Sequence, residues 1–324
     1  MKVIYRIALI ASAFLFAACS QTGKLPENDD SIDITVKICG PETTRATDIE
    51  TSDESKVGNL QVFVFREGRL EDYRDAGTAT SATLTVTAGE RTVWALVNAP
   101  SLTGILTEEQ LAGAASQLSE NRRDALVMSG SLTRNLTDGA TVSVTVRRLV
   151  SRVSVGKVTT GFRYALEDAD LQLDALWLVN VAADARFGED GAPGQWANRL
   201  GHTDSSLDPL LFDRVDAVVN NAAPYERAHV FYPYPNPTED SVYTDDWCPR
   251  HTMLVVEVTL EGKKGYYPVE LPVLERNRSY VIGEIHITRR PGEVPYVPVE
   301  TGEATVPVVV KEWENEVDLG TITI

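Results

Sequence analysis

Short apolar runs separated by turn residues cover most of this chain from residue 32 to residue 288. Several alternate between apolar and polar side chains, the period of two that is typical of a half-buried β-strand. The predicted strands are 32–38, 60–65, 83–87, 91–98, 140–146, 149–155, 171–181, 230–234, 253–260, 266–271 and 279–288. Many short strands with turns between them favour β-sandwiches over a parallel α/β sheet.

Composition and charge exclude several classes of protein. Lys and Arg number 30 against 47 Asp and Glu, and the net charge of −17 argues against a nucleic-acid binder, which needs clustered cations. Three cysteines in 324 residues cannot form a disulfide scaffold, and four scattered histidines argue against a zinc enzyme. A hydrophobic share of 43% indicates a globular chain, and the length suggests about two domains.

The first residues have the features of an export signal. Residues 1–18 contain two cations, an apolar stretch and then small residues, which predicts a secretory signal peptide too short to be a membrane anchor. The Phe-Ala-Ala sequence before Cys19 resembles the bacterial lipobox, in which the cysteine carries lipid. Lipid at Cys19 would attach the chain to a membrane without a spanning helix. The alternative is ordinary cleavage beside a chance cysteine.

Both ends of the remaining chain contain alternating strand sequences. Near the N-terminus, four apolar residues share one face: Ile32, Ile34, Val36 and Ile38. A loop with a lone arginine, Arg45, follows, and proteases cut where the backbone is exposed and unpaired. Near the C-terminus, alternation recurs in two pieces: Val306, Val308, Val310 and Trp313, then Val317, Leu319, Ile322 and Ile324.

Two interpretations of these end segments remain open. Removing residues 32–38 from a sandwich would leave an apolar groove with unpaired backbone groups, and such a groove accepts a foreign strand. A strand supplied by the tail of another copy would make a head-to-tail contact and therefore an open filament. The alternative is that both terminal strands complete their own domains.

Local signals predict further elements. One helix is predicted at 107–118, because Thr107 and Gln110 have capping-box spacing. Residues 88–90 predict a hairpin turn between the strands at 83–87 and 91–98. In the strand at 171–181, five apolar residues are expected on one face: Leu171, Leu173, Trp177, Val179 and Val181. The tryptophans in strand-like runs are interpreted as core residues rather than a carbohydrate platform: Trp94, Trp177 and Trp313.

No catalytic motif is complete in the sequence. The nearest arrangement places Cys248 beside His251, which could be half of a metal site or a nucleophile with its base. No second cysteine or nearby histidine completes four ligands, so an exposed loop is the preferred interpretation. The acidic pairs, such as Asp168 with Asp170, lack the spacing of a calcium loop. We therefore expect no enzymatic activity, no cofactor and no metal.

Taken together, the motifs of the chain resemble those of the fimbrillins, the major fimbrial subunit (type V pilin) proteins of Bacteroidales. The resemblance covers nearly the whole chain and depends on the order and spacing of its parts. These parts are the lipobox at Cys19, T-T-R-A at 43–46, V-G-N-L-Q-V-F-V-F at 57–65, W-A-L-V-N at 94–98, R-L-V-S-R-V at 148–153, F-Y-x-Y-x-N at 231–236, Y-Y-P-V at 266–269, R-N-x-x-Y at 276–280 and the terminal strand into Trp313.

The resemblance implies two tandem transthyretin-like antiparallel β-sandwich domains with a short helix and a C-terminal extension. It also implies a lipid site at Cys19, cleavage by an Arg-specific protease between Arg45 and Ala46, and strand exchange with the C-terminal tail as donor. The expected parts are a signal peptide at 1–18, a propeptide at 19–45 that includes the removed strand, sandwich domains at 46–160 and 161–293, and a donor segment at 294–324.

The preferred hypothesis is a structural subunit of cell-surface fimbriae that supports adhesion. Its expected partners are copies of itself or related fimbrial subunits, the processing protease, and the outer membrane through lipid before cleavage. The retained Arg junction and tail favour a stalk subunit over an anchor or tip. The alternative is a non-polymerising surface lipoprotein, a tip or anchor adhesin that binds a host glycan or protein. A hydrolase that uses Cys248 and His251 ranks last.

Overall fold

The structure is a computed structural model, and it describes residues 31–40, 54–189, 191–238, 243–298, 311–312, 317–318 and 321–324. The first strands are β1 Ser31–Cys39, β2 Leu60–Arg66, β3 Arg69–Asp75, β4 Ser81–Thr87, β5 Gly89–Val97, β6 Ala115–Gln117, β7 Met128–Leu136, β8 Thr141–Thr145 and β9 Arg147–Arg148. The later strands are β10 Arg152–Thr160, β11 Leu171–Val179, β12 Val181–Ala182, β13 Asp184–Arg186, β14 Trp196–Ala197, β15 Phe212–Val219, β16 His229–Phe231, β17 Met253–Leu260, β18 Lys263–Glu270, β19 Arg278–Ile287, β20 Lys311–Glu312, β21 Val317–Asp318 and β22 Thr321–Thr323. The helices are α1 Glu108–Gly113 and α2 Asp208–Leu211, with 3₁₀ turns at Leu118–Glu120, Tyr164–Leu166, Arg199–Gly201 and Ser205–Leu207.

The N-terminal strands form a sandwich of two sheets. A three-stranded sheet in the order β4-β1-β8 faces a five-stranded sheet in the order β3-β2-β5-β7-β9. Alternate residues of the facing strands fill the space between the sheets and form one apolar core. The strands at the centre of the second sheet are apolar on both faces, because that sheet is covered on both sides.

The C-terminal strands form a second sandwich. One sheet has the order β15-β11-β17-β18, and the other has the order β16-β10-β19-β20, with β21 and β22 also paired with β19. Their shared core continues onto the outer face of the first sandwich, where Phe63, Phe65 and Trp94 belong to the same cluster. The all-β class and the two-sandwich architecture predicted from the sequence are therefore confirmed.

Most strand pairs are antiparallel, but two parallel pairs are central to the sheets. β1 runs parallel to β8, and β10 runs parallel to β19. All sheet partners of β10 lie in the C-terminal half of the chain, although the expected domain boundary follows residue 160. β9 belongs to the second sheet of the N-terminal sandwich, whereas β10 belongs to a sheet of the C-terminal sandwich. The division into two domains at residue 160 remains an expectation.

The predicted hairpin at residues 88–90 is wrong. β4 ends at Thr87 and β5 begins at Gly89, but the two strands belong to different sheets: β4 pairs with β1, and β5 pairs with β2 and β7. Gly89 has φ +116°, which reverses the chain so that it crosses from one sheet to the other. The local turn signal was correct, and the pairing was decided by distant partners.

The expected single face of the strand at 171–181 is also wrong. The register of β11 shifts between Leu173 and Ala175 against both of its neighbours, which marks a β-bulge. The extra residue turns the following side chains over, so Leu171 and Leu173 lie in the main core, whereas Trp177 lies in a separate cluster on the opposite face.

The predicted helix is present but shorter than expected. Thr107 accepts a hydrogen bond from the Gln110 backbone, and the Gln110 side chain bonds back to the cap, so the capping box is confirmed. The helix ends at Gly113, after which residues 115–117 pair with β13 as β6. Trp94 and Trp177 are buried as predicted, and Trp313 lies outside the described residues. Among the described residues, none of the helices is long and apolar enough to cross a membrane.

Candidate functional site

β1 is held on both sides, although it is the first strand of the described chain. Residues 31–37 pair antiparallel with β4, and residues 35–39 pair parallel with β8. The backbone of β1 therefore completes the hydrogen-bond ladders of two other strands. Without β1, the facing edges of β4 and β8 would have unpaired N–H and C=O groups.

The side chains of β1 follow the alternation predicted from the sequence. Ile32, Ile34 and Val36 are 7%, 1% and 0% exposed, and Ile38 is half-buried near the end of the strand. Each fully buried β-branched side chain stabilises the fold by about 2 kcal/mol. Together with the two ladders, these side chains define the β1 groove, the slot between β4 and β8 over the N-terminal core.

Side chains of β3 hold the outer edge of β4, which is one wall of the β1 groove. Glu71 accepts hydrogen bonds from the Thr87 backbone at 2.8 Å and from Arg91 Nε at 2.5 Å. Asp72 accepts a hydrogen bond from the Thr85 backbone at 3.1 Å. Burial raises the pKa of the Glu71 carboxyl, but the hydrogen bonds from Thr87 and Arg91 outweigh this effect and hold the pKa below its usual value. The wall of the groove is therefore fixed by hydrogen bonds to two carboxylates of β3.

The predicted lipid and cleavage sites lie outside the described residues: Cys19, Arg45 and Ala46. β1 ends at Cys39, and Gly40 is exposed with open space around it. The described chain resumes at Glu54. Removal of residues 32–38 and cleavage after Arg45 therefore stay predictions.

Glu54, for which the sequence contains no recognisable motif, is a buried anchor point ahead of β2. It is 4% exposed, its carboxylate accepts hydrogen bonds from Arg152 Nε at 3.2 Å and from the Tyr232 hydroxyl at 2.5 Å, and its carbonyl accepts one from Arg148 Nε at 3.0 Å. These partners come from β9, β10 and the residue after β16, so the anchor lies where the two sandwiches meet. The two arginines of the 148–153 motif are the only sequence signal of this buried site. They do not identify Glu54 as their partner, because it lies 94 and 98 positions away in the sequence.

The C-terminal tail pairs within its own chain. β20 is antiparallel to β19, whereas β21 and β22 run parallel to it. Ile322 and Ile324 are buried, and the Ile324 backbone N–H donates to the His286 carbonyl at 2.8 Å. The backbone of Val317 pairs with Tyr280. The other predicted donor residues lie outside the described residues: Val306, Val308, Val310, Trp313 and Leu319.

The cysteine and histidine singled out as a remote catalytic candidate make structural contacts. Cys248 Sγ accepts a hydrogen bond from Arg250 Nη2 at 3.4 Å. His251 Nδ1 lies 3.2 Å from the Leu271 carbonyl, and its Nε2 lies 3.4 Å from the Glu270 carboxylate at the end of β18. The part of the chain that the structure describes has no group of three or more His, Cys, Asp or Glu that could hold a metal ion.

The fold and the site define a class of protein: a tandem β-sandwich whose N-terminal strand lies in an inserted position and whose C-terminal strands add to a sheet edge. Within this class, residues 32–157 match the family model described as major fimbrial subunit protein (FimA). This region covers the N-terminal sandwich and most of β10. No curated protein sequence matches the chain.

Solved structures extend the likeness to nearly the whole chain. A candidate cell adhesion protein from Bacteroides eggerthii superposes with a TM-score of 0.64 at 19% identity, covering 90% of this chain and 98% of that one. A fimbrilin (FimA) from Porphyromonas gingivalis superposes with a TM-score of 0.60 at 13% identity, covering 90% and 97%. The tip fimbrial protein Mfa3 from the same species gives 0.53 at 13% identity, covering 82% and 97%. The resemblance to the fimbrillins is therefore confirmed, and the described chain has their fold.

Proposed function

We propose that this chain is a structural subunit of a cell-surface fimbrium. In this proposal the chain is exported as a lipoprotein through Cys19, cleaved after Arg45, and polymerised by strand exchange with the C-terminal tail as donor. The family match of the N-terminal region supports a fimbrial role. The subunit acts by assembly and adhesion, without catalysis, a cofactor or a metal.

The observation that carries this proposal is the position of β1. A strand in the interior of a sheet is joined to the rest of the chain by a single connection that contains Arg45. Cleavage there would free β1 and the lipidated N-terminus together, and the exposed β1 groove would accept an alternating strand from another copy. The tail has such sequences, and it pairs with a sheet edge in its own chain, which supports its capacity to form strands.

The first test of processing is the substitution Arg45→Ala. This variant is expected to stay an uncleaved lipidated monomer, whereas Arg163→Ala, at an exposed arginine elsewhere, is processed like the wild type. The readout is the mass of the surface protein and electron microscopy of fibres labelled with an antibody to the chain. Fibres of normal length from Arg45→Ala would refute processing at this site.

The second test removes residues 305–324 from the processed chain. Subunits without this segment are expected to remain monomers on mixing, because they retain the β1 groove but supply no strand. Mixing them with intact subunits should cap and shorten the filaments, since a truncated copy accepts a strand without donating one. Filaments of normal length from truncated subunits alone would refute the tail as donor.

A second candidate function is a non-polymerising surface adhesin, at a fimbrial tip or anchor, that binds a host glycan or protein. The intrachain pairing of the tail supports it, because a tail whose strands are already paired with β19 is not available to another copy. This alternative predicts a ligand-dependent rise in the melting temperature of the monomer and no ladder of oligomers. The two tests above separate the candidates, because only a polymerising subunit forms oligomers when processed copies are mixed.

A further inference from the structure

One segment of the tail matches the apolar alternation of β1 as far as Lys37, and Glu312 then falls at the position of half-buried Ile38. Residues 305–313 read T-V-P-V-V-V-K-E-W, and residues 31–39 read S-I-D-I-T-V-K-I-C. With this alignment the three valines at alternate positions take the places of the buried side chains of β1, and Lys311 takes the place of exposed Lys37. The alignment keeps the chain direction, so the segment would run parallel to β8, as β1 does.

The proline in this segment coincides with the position of β1 where a backbone N–H is not needed for the ladder. Pro307 aligns with Asp33, whose N–H donates to the Asp138 side chain at 3.2 Å rather than to a strand partner. β8 begins to pair with β1 only at Thr35. Because proline lacks an N–H, it is tolerated in strands at places like this one and disrupts a ladder elsewhere.

A large polar cavity opens where β1 ends. Thr145 pairs with Cys39, the last residue of β1, and also lines this cavity of about 1100 Å³. Four arginines line it and give it the name arginine cavity: Arg147, Arg186, Arg276 and Arg278. Gly130 fixes one wall, because a Cβ there would lie 2.0 Å from the Thr145 carbonyl oxygen.

The arginine cavity is also lined by Glu109, Glu189 and Glu275, so the charges of its arginines are partly balanced. Arg278 pairs with Glu275 at 3.2 Å, and Arg276 donates to the Arg186 carbonyl at 3.0 Å. Arg147 and Arg186 are exposed, and no ion pair involves either of them within the described part of the chain. Four arginines against three glutamates leave the lining with a small positive excess, which in a chain of net charge −17 is complementary to an acidic strand.

The tail supplies such a strand directly after the segment that matches β1. Glu314 and Glu316 follow Trp313 at alternate positions and therefore share one face when extended. In the same alignment Trp313 takes the place of Cys39, and Glu314 takes the place of Gly40, beside which there is open space. The two glutamates would then leave the β1 groove at the mouth of the arginine cavity.

We propose that the partner of the arginine cavity is the acidic segment 314–316 of a second copy, whose residues 305–313 lie in the β1 groove in the register of residues 31–39. This inference rests on the proposed function and specifies its donor segment, register and charge contact. The apolar side chains of the donor strand are buried in the groove. The arginines favour the strand direction and register that bring the glutamates beside them.

The register is tested with a synthetic peptide of residues 304–317 that carries Val309→Cys. In the alignment Val309 takes the place of Thr35, which lies opposite Thr83 of β4. The processed full chain with Cys248→Ser and Thr83→Cys should form a disulfide with this peptide, whereas matched chains with Ser81→Cys or Thr85→Cys should react much less. Preferential capture at either of these flanking positions would overturn the register.

The charge contact is tested by reversal and exchange. Arg147→Glu with Arg186→Glu should weaken peptide binding by about tenfold, because two cations that face the glutamates become anions. A peptide with Glu314→Lys and Glu316→Lys should restore binding to this variant and bind the wild type less well. The matched control reverses two exposed arginines elsewhere, Arg134 and Arg163, and should leave binding unchanged.

Failure of this inference and failure of the proposed function give different results. Wild-type filaments together with no capture at Thr83→Cys and no effect of charge reversal would overturn the inference and leave the fimbrial function in place. Specific capture and charge exchange by the peptide, without filaments from processed subunits, would support the docking register and refute polymerisation. Absence of both would overturn both.

Discussion

Glu71 connects the two sheets of the N-terminal sandwich through a single carboxylate. It receives hydrogen bonds from Thr87 and Arg91, and its side chain is 16% exposed. Because its pKa is lower in the folded chain than its ordinary value of 4.5, ionised Glu71 stabilises the fold above that pH. This stabilisation is lost as the pH falls from 4.5 through the lowered pKa of the folded state.

The substitution Glu71→Gln should therefore destabilise the chain at neutral pH and matter little in acid. Loss of the charge-assisted hydrogen bonds should cost about 1–3 kcal/mol at pH 7. Urea denaturation of both proteins at pH 7 and near pH 3 measures the difference, and Glu90→Gln, at an exposed residue of the same turn, is the control. A deficit of equal size at both pH values would show that the carboxylate charge is not responsible.

The buried carboxylate of Glu54 is expected to matter more than any exposed ion pair. Glu54→Gln removes the charge that faces Arg152 Nε at 3.2 Å, and a one-sided deletion of a buried pair costs about 3–5 kcal/mol. Asp124→Asn is the matched control, because its pair with Lys56 spans 3.9 Å and both side chains are more than half exposed. Equal urea midpoints for the two variants would contradict a structural role for the anchor.

Residues of this kind could not be recognised from the sequence. The alternation that predicts buried Ile32, Ile34 and Val36 is a local property, and it is confirmed by the structure. The Glu54 contacts depend instead on partners that the fold brings from 94 to 178 positions away. No local pattern distinguishes such a glutamate from the many solvated ones of an acidic chain.

At the scale of the element, β1 should contribute strongly to the stability of the unprocessed chain. Ile34→Ala in an Arg45→Ala background is expected to cost about 2–5 kcal/mol, because the side chain is 1% exposed and its loss leaves a cavity. Lys37→Ala on the exposed face of the same strand should change stability by less than about 0.5 kcal/mol. Thermal unfolding of the two variants measures this contrast, and equal melting temperatures would mean that β1 is not seated in the groove.

Elements were predictable where local signals decide them. The capping box of Thr107 and Gln110 starts α1, and β17 has the bounds expected for residues 253–260. The pairing of β4 with β1 rather than β5 was not predictable, because the turn at Gly89 is compatible with a hairpin and with a crossing between sheets. The bulge in β11 could not be predicted for a similar reason. After Ala175 the strand is apolar on both faces, so a shift of register does not disturb any alternation of apolar and polar residues.

At the scale of the whole molecule, charge opposes assembly. Residues 1–45 carry five basic and five acidic side chains, so the chain from residue 46 onward retains the full net charge of −17. Like-charged subunits repel one another over a distance that salt shortens, from about 30 Å at about 10 mM ionic strength to about 8 Å at about 150 mM. If the subunit polymerises as proposed, buried strand pairing must overcome this repulsion.

Filament growth from processed subunits should therefore accelerate as ionic strength rises over this range. Light scattering during growth measures the rate, and electron microscopy confirms that the scattering species are filaments. A neutral osmolyte at matched osmolality is the control for effects other than screening. Growth that slows with added salt would show that local attraction, such as that of the arginine cavity, governs the approach instead.

The position of β1 also sets an order of events during folding. Its contacts join distant parts of the chain: Asp33 bonds with Thr85, 52 positions later, and with Asp138, 105 positions later. Closing such long loops delays contact formation, so the strands between β2 and β8 can build most of their sandwich before β1 docks. We expect β1 to join last, as an addition to a nearly finished sheet. The docking of β1 within one chain would then follow the same final step as the docking of a donor strand from a second chain.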